Sequence, residues 1–198
     1  LFCPMYKGVK YQLRDFDELK KEIASAGRAY PETMRIFLAD GDVMALSFER
    51  LAEILGHLKT SFPNLARVNV YANGSSITAK SADQLKALKD LKLNTLYLGL
   101  ESGDEELLKL VRKGETAQGM AEAVRIAQDC GLRCSVMVLL GLGGSKMAAQ
   151  HAVKTAEVLN QMQPRLLSFL RFIEVPGTNM FDGYETATEY GAVQELHD

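Results

Sequence analysis

Short apolar runs recur along this chain, each ending in an acidic or glycine-rich turn and followed at once by an amphipathic stretch. The runs begin at about 34, 67, 95, 134 and 167, so successive starts lie 33, 28, 39 and 33 residues apart. That is the length of a strand, a helix and two connections, and it predicts βα repeats with parallel strands. Right-handed crossovers would wind such repeats into a partial barrel or a doubly wound sheet with the helices outside. The runs at 95 and 134 are almost continuously apolar, as strands buried on both faces are. A partial barrel is expected ahead of an open sheet, because the spacing reveals no point at which the strand order would reverse.

The segments read in order as follows. Asp15 caps a first helix with Glu18 at the capping-box position, Phe16, Leu19 and Ile23 on one face, and Gly27 as its end. A strand at 34–39 leads to the loop Asp40-Gly41-Asp42. Ser47 then caps a helix whose inner stripe is Phe48, Leu51, Leu55 and Leu58, stopped at Phe62-Pro63. A strand at 67–72 is followed by the loop Asn73-Gly74 and a helix over 81–91. The run from Thr95 ends in Glu101-Ser102-Gly103-Asp104, then come helices over 104–111 and 116–130, broken at Gly114 and closed by Gly131. A strand at 134–140 enters Gly141-Leu142-Gly143-Gly144, a helix spans 146–161, and a strand at 167–173 enters Glu174-Val175-Pro176-Gly177. One domain over 1–198 is expected, with 182–198 a weakly patterned tail.

Composition narrows the classes. With 47% hydrophobic and 24% charged residues the chain reads as an ordinary globular domain. No apolar run approaches the roughly 18 residues of a membrane span, and the start does not resemble a signal peptide, so a cytoplasmic location is expected. A net charge of -2 gives no electrostatic case for nucleic acid or anionic lipid. Three cysteines are too few and too odd in number for a disulfide framework. The chain opens on Leu1 rather than Met, and residues upstream are expected to have been left out.

In a parallel barrel or sheet, the loops after the strands collect on one rim, where function is found. Asp40, Asp42, Glu101 and Glu174 stand there beside glycines, a setting suited to a cation or a hydroxyl-rich ligand and unfavourable to a naked phosphate. The bland alternative is that these acids are solvated or cap helices, as Asp104 is expected to do. Cys130 ends a helix and Cys134 begins a strand, which puts both at the opposite rim as structural thiols. His57, His151 and His197 lack acids or cysteines at ligand spacing and read as surface residues. Cys3 belongs to the functional rim, since its loop leads into the first helix.

Several stretches together resemble the radical S-adenosylmethionine (radical SAM) superfamily. Phe2-Cys3 is similar to the aromatic residue and third cysteine of that family's C-x3-C-x-aromatic-C motif. Ala39-Asp40-Gly41-Asp42 stands where the family often has Gly-Gly-Glu-Pro, a departure from the pattern. Gly99 to Lys109 matches the fourth strand and following helix, Val136 to Gly144 the fifth strand, and Glu174-Val175-Pro176-Gly177-Thr178 the turn after the sixth in the elongator-like and methylthiotransferase-like branch. The resemblance implies a partial (β/α)6 TIM-like barrel of parallel strands, here lacking its first strand. It also implies a 4Fe-4S cluster held by three thiolates, whose unique iron binds the amino and carboxylate groups of SAM. One electron then releases a 5'-deoxyadenosyl radical that abstracts a hydrogen from a substrate.

Carried over by position, Cys3 would be a cluster ligand and Phe2 would pack near the adenine. Asp40, Gly41 and Asp42 would approach the amino group, Glu101 and Ser102 the ribose, Gly141 and Val175 the adenine, and Arg112 or Lys113 the carboxylate. The implied partners are SAM, an unidentified substrate and an electron donor such as flavodoxin or ferredoxin. A single thiolate cannot retain the cluster, so the 198 residues alone are expected to hold none and to bind SAM poorly. Two other readings stand beside this one: a non-catalytic βα binding or scaffold module with Cys3 incidental, and a phosphate-binding barrel enzyme using the Gly141 to Gly144 loop.

Overall fold

The computed structural model describes Gly8 and residues 12–173; Phe2, Cys3, Val175, Glu174, the rest of the Pro-Gly-Thr turn and His197 lie outside the described residues. The expected parallel α/β architecture is present: five strands form one sheet in the order β1-β2-β3-β4-β5. They are β1 (Arg35–Leu38), β2 (Arg67–Tyr71), β3 (Leu93–Glu101), β4 (Arg133–Leu140) and β5 (Leu166–Arg171). The helices are α1 (Phe16–Ala29), α2 (Phe48–Ser61), α3 (Gly74–Thr78), α4 (Ala82–Asp90), α5 (Glu105–Leu110), α6 (Ala117–Asp129) and α7 (Gly144–Met162). A one-turn 3-10 helix spans Val43–Ala45.

The chain divides into two compact units. One comprises Tyr11–Leu98 and Ala123–Ser135. In it β1 pairs with β2 in the register Arg35↔Arg67 to Leu38↔Val70, and β2 pairs with β3, both parallel. A bulge between Val68 and Asn69 sets Leu93 opposite Val68 and Thr95 opposite Asn69, and β3 starts two residues before the apolar run at 95. Leu51, Leu55 and Leu58 of α2, Val68 and Val70 of β2, Leu85 and Leu88 of α4 and Leu96 and Leu98 of β3 are all buried. Each such side chain contributes about 1.5–3 kcal/mol by leaving water.

Asp15 caps α1 as expected, accepting from the Glu18 backbone N–H at 2.9 Å, but the helix runs past Gly27 to Ala29. Gly27 is instead the place where α1 meets α2: a Cβ there would stand 2.3 Å from the Ser61 carbonyl oxygen. Asn73 and Gly74 form no plain loop. Asn73 and Ser76 make a reciprocal capping box that starts the five-residue helix α3.

The other unit comprises Leu1–Lys10, Gly99–Glu122 and Val136–Asp198. Its buried centre is Leu107 and Val111 from the α5 segment and Leu142, with Leu139, Met147 and Phe172 packed against them. Helix α7 begins at Gly144, two residues before the sequence reading, and ends on Gln163 in the left-handed conformation. The loop after β3 lies tight against α7, since a Cβ on Gly103 would come within 2.3 Å of the Lys154 carbonyl oxygen.

Candidate functional site

The end of β3 is a tightly constrained polar segment. Glu101 terminates the strand at φ +63, a conformation that costs a non-glycine residue about 1–3 kcal/mol and that clusters at functional sites. Its carboxylate folds back over Gly99: a Cβ on that glycine would lie 2.1 Å from Glu101 Oε1. Lys113 Nζ donates to the same oxygen at 3.0 Å, and both side chains are almost buried, at 13% and 12% exposed. This pair is shielded from the solvent screening that reduces surface ion pairs to little. It holds one carboxylate in a fixed direction at the strand's carboxyl end.

Beneath it, Ser102, Asp104, His151 and Thr155 form a buried polar cluster. Ser102 Oγ lies 2.7 Å from His151 Nδ1 and accepts the Asp104 backbone N–H at 2.9 Å. Thr155 Oγ1 accepts the Gly103 N–H at 2.9 Å and stands 3.3 Å from the same ring nitrogen. Asp104 caps α5 through the Glu106 N–H and lies 3.6 Å from Lys154 Nζ. The expected cap is therefore there, but Asp104 is also wholly buried.

Burial pushes the His151 pKa down, opposed by the Leu139 carbonyl and the Asp104 carboxylate, so the ring is held toward neutrality. The reading of His151 as a surface residue is overturned, since it is 4% exposed. The cause is visible in α7, whose buried residues include His151, Thr155, Val158 and Met162, one stripe at helical spacing. That spacing was the available signal.

The remaining expected contacts in this unit differ in character. Ser102 is fully buried and engaged by His151, which turns its hydroxyl into the loop's support. Arg112 is exposed at φ +52 and lines a cavity of about 380 Å³ with Glu105, Leu108, Lys109 and Thr116. Its neighbour Lys113 is the cation that meets Glu101. Gly141 has φ +82 and open space where a Cβ would stand, so a ligand could approach its backbone closely.

In the other unit, Asp40 is exposed at φ +70 and Gly41 follows at φ +92 with open space beside it. The Asp42 carboxylate is ordered, accepting from Ser76 Oγ at 3.0 Å and Asn73 Nδ2 at 3.2 Å. Lys80, which the sequence reading passed over, is buried and donates to the Met44 carbonyl oxygen. Burial lowers its pKa, against a smaller upward pull from Asp42. A cavity of about 400 Å³ is bordered by Asp42, Ser47, Ser76, Lys80 and Gln84.

Cys130 and Cys134 are buried, and burial pushes the Cys134 thiol up to about 12, far from a metal-binding thiolate. Among the described residues no group of three or more His, Cys, Asp or Glu side chains is placed to hold a metal ion. No helix among them is long and apolar enough to cross a membrane.

A family model of the radical SAM superfamily matches residues 1–156. The chain belongs to the radical SAM superfamily. Members of this superfamily are enzymes that use a 4Fe-4S cluster and SAM. Over 145 residues the chain is 24% identical to a protein of Methanocaldococcus jannaschii named as a methylthiotransferase, covering 67% of this chain and 30% of that one. It is 23% identical over 141 residues to a heme chaperone of Bacillus subtilis, covering 70% and 37%. The chain thus spans about a third of the length of these curated relatives. The Escherichia coli coproporphyrinogen III oxidase structure superposes with a TM-score of 0.74 at 14% identity, over 91% of this chain and 43% of that one. At that identity the superposition shows the shared fold alone.

Proposed function

We propose that this chain is the core of a radical SAM enzyme and that the end of β3 is where it holds the SAM ribose. The observation that carries the site assignment is the Glu101 carboxylate, fixed by Lys113 and by the absence of a side chain on Gly99. A preset acceptor suits a vicinal diol, because little side-chain freedom remains to be lost when the hydroxyls bind. Gly141, open and at positive φ, would leave room for the adenine. In the other unit the Asp42 carboxylate is held in place by Asn73 and Ser76, a fixed anion of the kind that suits an ammonium group.

The described cysteines do not fit the cluster; by the family resemblance Cys3 would be one of its ligands and Phe2 and Val175 would lie near the adenine, all three outside the described residues. When bound, the cluster and SAM supply a hydrogen-abstracting carbon radical for each electron delivered by a donor such as flavodoxin or ferredoxin. The chain's own residues do the holding. Lys113 keeps the Glu101 carboxylate aimed, and His151 with Thr155 props the Ser102-Gly103 backbone.

The test is the full-length protein, reconstituted anaerobically with iron and sulfide and given SAM and a strong reductant. Formation of 5'-deoxyadenosine and methionine is expected, and Glu101→Ala should lower it through weaker SAM binding. A cluster-loaded protein that makes no 5'-deoxyadenosine would refute the assignment.

A further inference from the structure

Where the loop after β3 meets α7, two hydroxyls converge on one ring nitrogen. Ser102 Oγ stands 2.7 Å from His151 Nδ1, and Thr155 Oγ1 stands 3.3 Å from it. Each hydroxyl oxygen already accepts a backbone N–H, from Asp104 and Gly103 respectively, both at 2.9 Å. A hydroxyl so placed has its own proton left to give, so Ser102 donates to Nδ1 and that nitrogen carries a lone pair. His151 is therefore neutral, with its proton on Nε2.

This arrangement leaves two buried atoms without a hydrogen-bond partner among the described residues, His151 Nε2 and Asp104 Oδ2. Buried polar atoms are nearly always satisfied, so a donor and an acceptor left unmet in one cluster mark an arrangement that has an alternative. A second proton on the ring supplies it. Nδ1–H and the Ser102 O–H would then face each other across 2.7 Å, and the hydroxyl would have to turn away. Ser102 is fully buried, so the turned hydroxyl meets no solvent, while Asp104 Oδ2, two residues on, is an acceptor without a donor.

The charges around the ring set when this happens. Asp104 draws a proton toward the ring, with Lys154 Nζ 3.6 Å from its other oxygen. Glu106 is bonded by Gln150 at 3.2 Å, Glu101 is paired with Lys113, the 136–140 stretch of β4 has no charged residue, and Arg171 at the end of β5 is exposed. Burial opposes the proton more strongly than Asp104 invites it, so the ring becomes charged only below the ordinary histidine value of about 6.5.

We infer that His151 is a positioning residue for the end of β3, and that its protonation loosens the Glu101-Ser102-Gly103 turn and so weakens SAM binding in acid. Ser102 and Gly103 directly follow Glu101, whose left-handed backbone at φ +63 aims the carboxylate. A turn released from α7 leaves that carboxylate other directions to take. The inference rests on the reading of the β3 end as the ribose site.

Two measurements on the full-length protein test it. The first needs no variant: the 15N-labelled protein is followed by NMR between pH 8 and pH 5. His151 Nδ1 should resonate as a bare nitrogen at pH 8, and the Ser102 and Gly103 amides should shift in step with the ring's titration. The second is SAM affinity of the cluster-loaded protein over the same range, for wild type, His151→Asn and Glu101→Ala. The asparagine amide oxygen can accept from Ser102 as Nδ1 does, and it does not titrate. Wild-type affinity should fall about tenfold further than that of His151→Asn between pH 8 and pH 5. A proton on Nδ1 at pH 8, or the same pH dependence in wild type and His151→Asn, would overturn the inference alone, provided Glu101→Ala still weakens SAM binding. Glu101→Ala without effect on SAM would overturn the ribose site and this inference with it.

Discussion

Replacing Gly99 by alanine separates the site from the scaffold. Gly99 does not have a positive φ, so its backbone accepts alanine. The new methyl carbon would start 2.1 Å from Glu101 Oε1, 2.9 Å from its Cδ and 3.2 Å from Lys113 Nζ. Carbon and oxygen need more than about 3 Å, so the carboxylate must move by roughly 1 Å or more. Because the obstacle is the end of a flexible side chain, the fold survives. Losing the nearly buried Glu101–Lys113 pair is offset in part by the roughly 0.4–1 kcal/mol that glycine-to-alanine replacement gains from the unfolded chain.

The melting temperature should therefore change by only a few degrees. Ligand affinity is different: a hydrogen bond to a charged group is worth about 1.5–3 kcal/mol, so SAM should bind about ten- to a hundredfold more weakly. Calorimetric titration of SAM into the cluster-loaded full-length protein, beside a thermal melt, reads both quantities. Unchanged SAM affinity would refute the role given to the Gly99–Glu101 contact. A melting temperature lowered by tens of degrees would instead make Glu101 a structural strut.

Other expectations follow from the buried groups. His151 has a folded pKa below its unfolded value of about 6.5, so the unfolded chain binds more protons below that pH. Stability should be fully present above about pH 6.5 and decline as the pH falls through the folded value; a series of melts between pH 5 and 8 should show this slope, and His151→Gln should flatten it. Lys80→Met would leave the Met44 carbonyl without its donor and should cost about 1–3 kcal/mol in urea unfolding, whereas a loss near zero would mean that the bond is dispensable. Cys134, with its thiol near 12 and its side chain buried, should resist iodoacetamide at pH 8 until the protein is unfolded; fast labelling of the native state would contradict that burial.

The repeat of apolar runs announced all five strands, because strands buried in a parallel sheet cannot tolerate polar interruptions and so leave an unmistakable trace. Caps at Asp15, Ser47 and Asp104 were equally legible, since each places a short oxygen-bearing side chain at a helix start. What escaped was set by tertiary contacts. Gly27 looked like a helix end when its real constraint is the Ser61 carbonyl across from it. The helix α3 is only five residues, too short to show a period. His151 has no partner at ligand spacing along the chain, because its partner Ser102 is 49 residues away and only the tertiary fold brings the two together. Glu101 was found because a carboxylate closing an apolar strand contradicts its surroundings; its left-handed backbone and its bond to Lys113 rather than Arg112 needed coordinates.

The most direct measurement is an anaerobic crystal structure of the full-length, cluster-loaded protein with SAM. The ribose hydroxyls should lie within about 3.2 Å of the Glu101 carboxylate, with the adenine against the Gly141 backbone. SAM bound elsewhere, with Glu101 still engaged by Lys113 alone, would contradict the assignment.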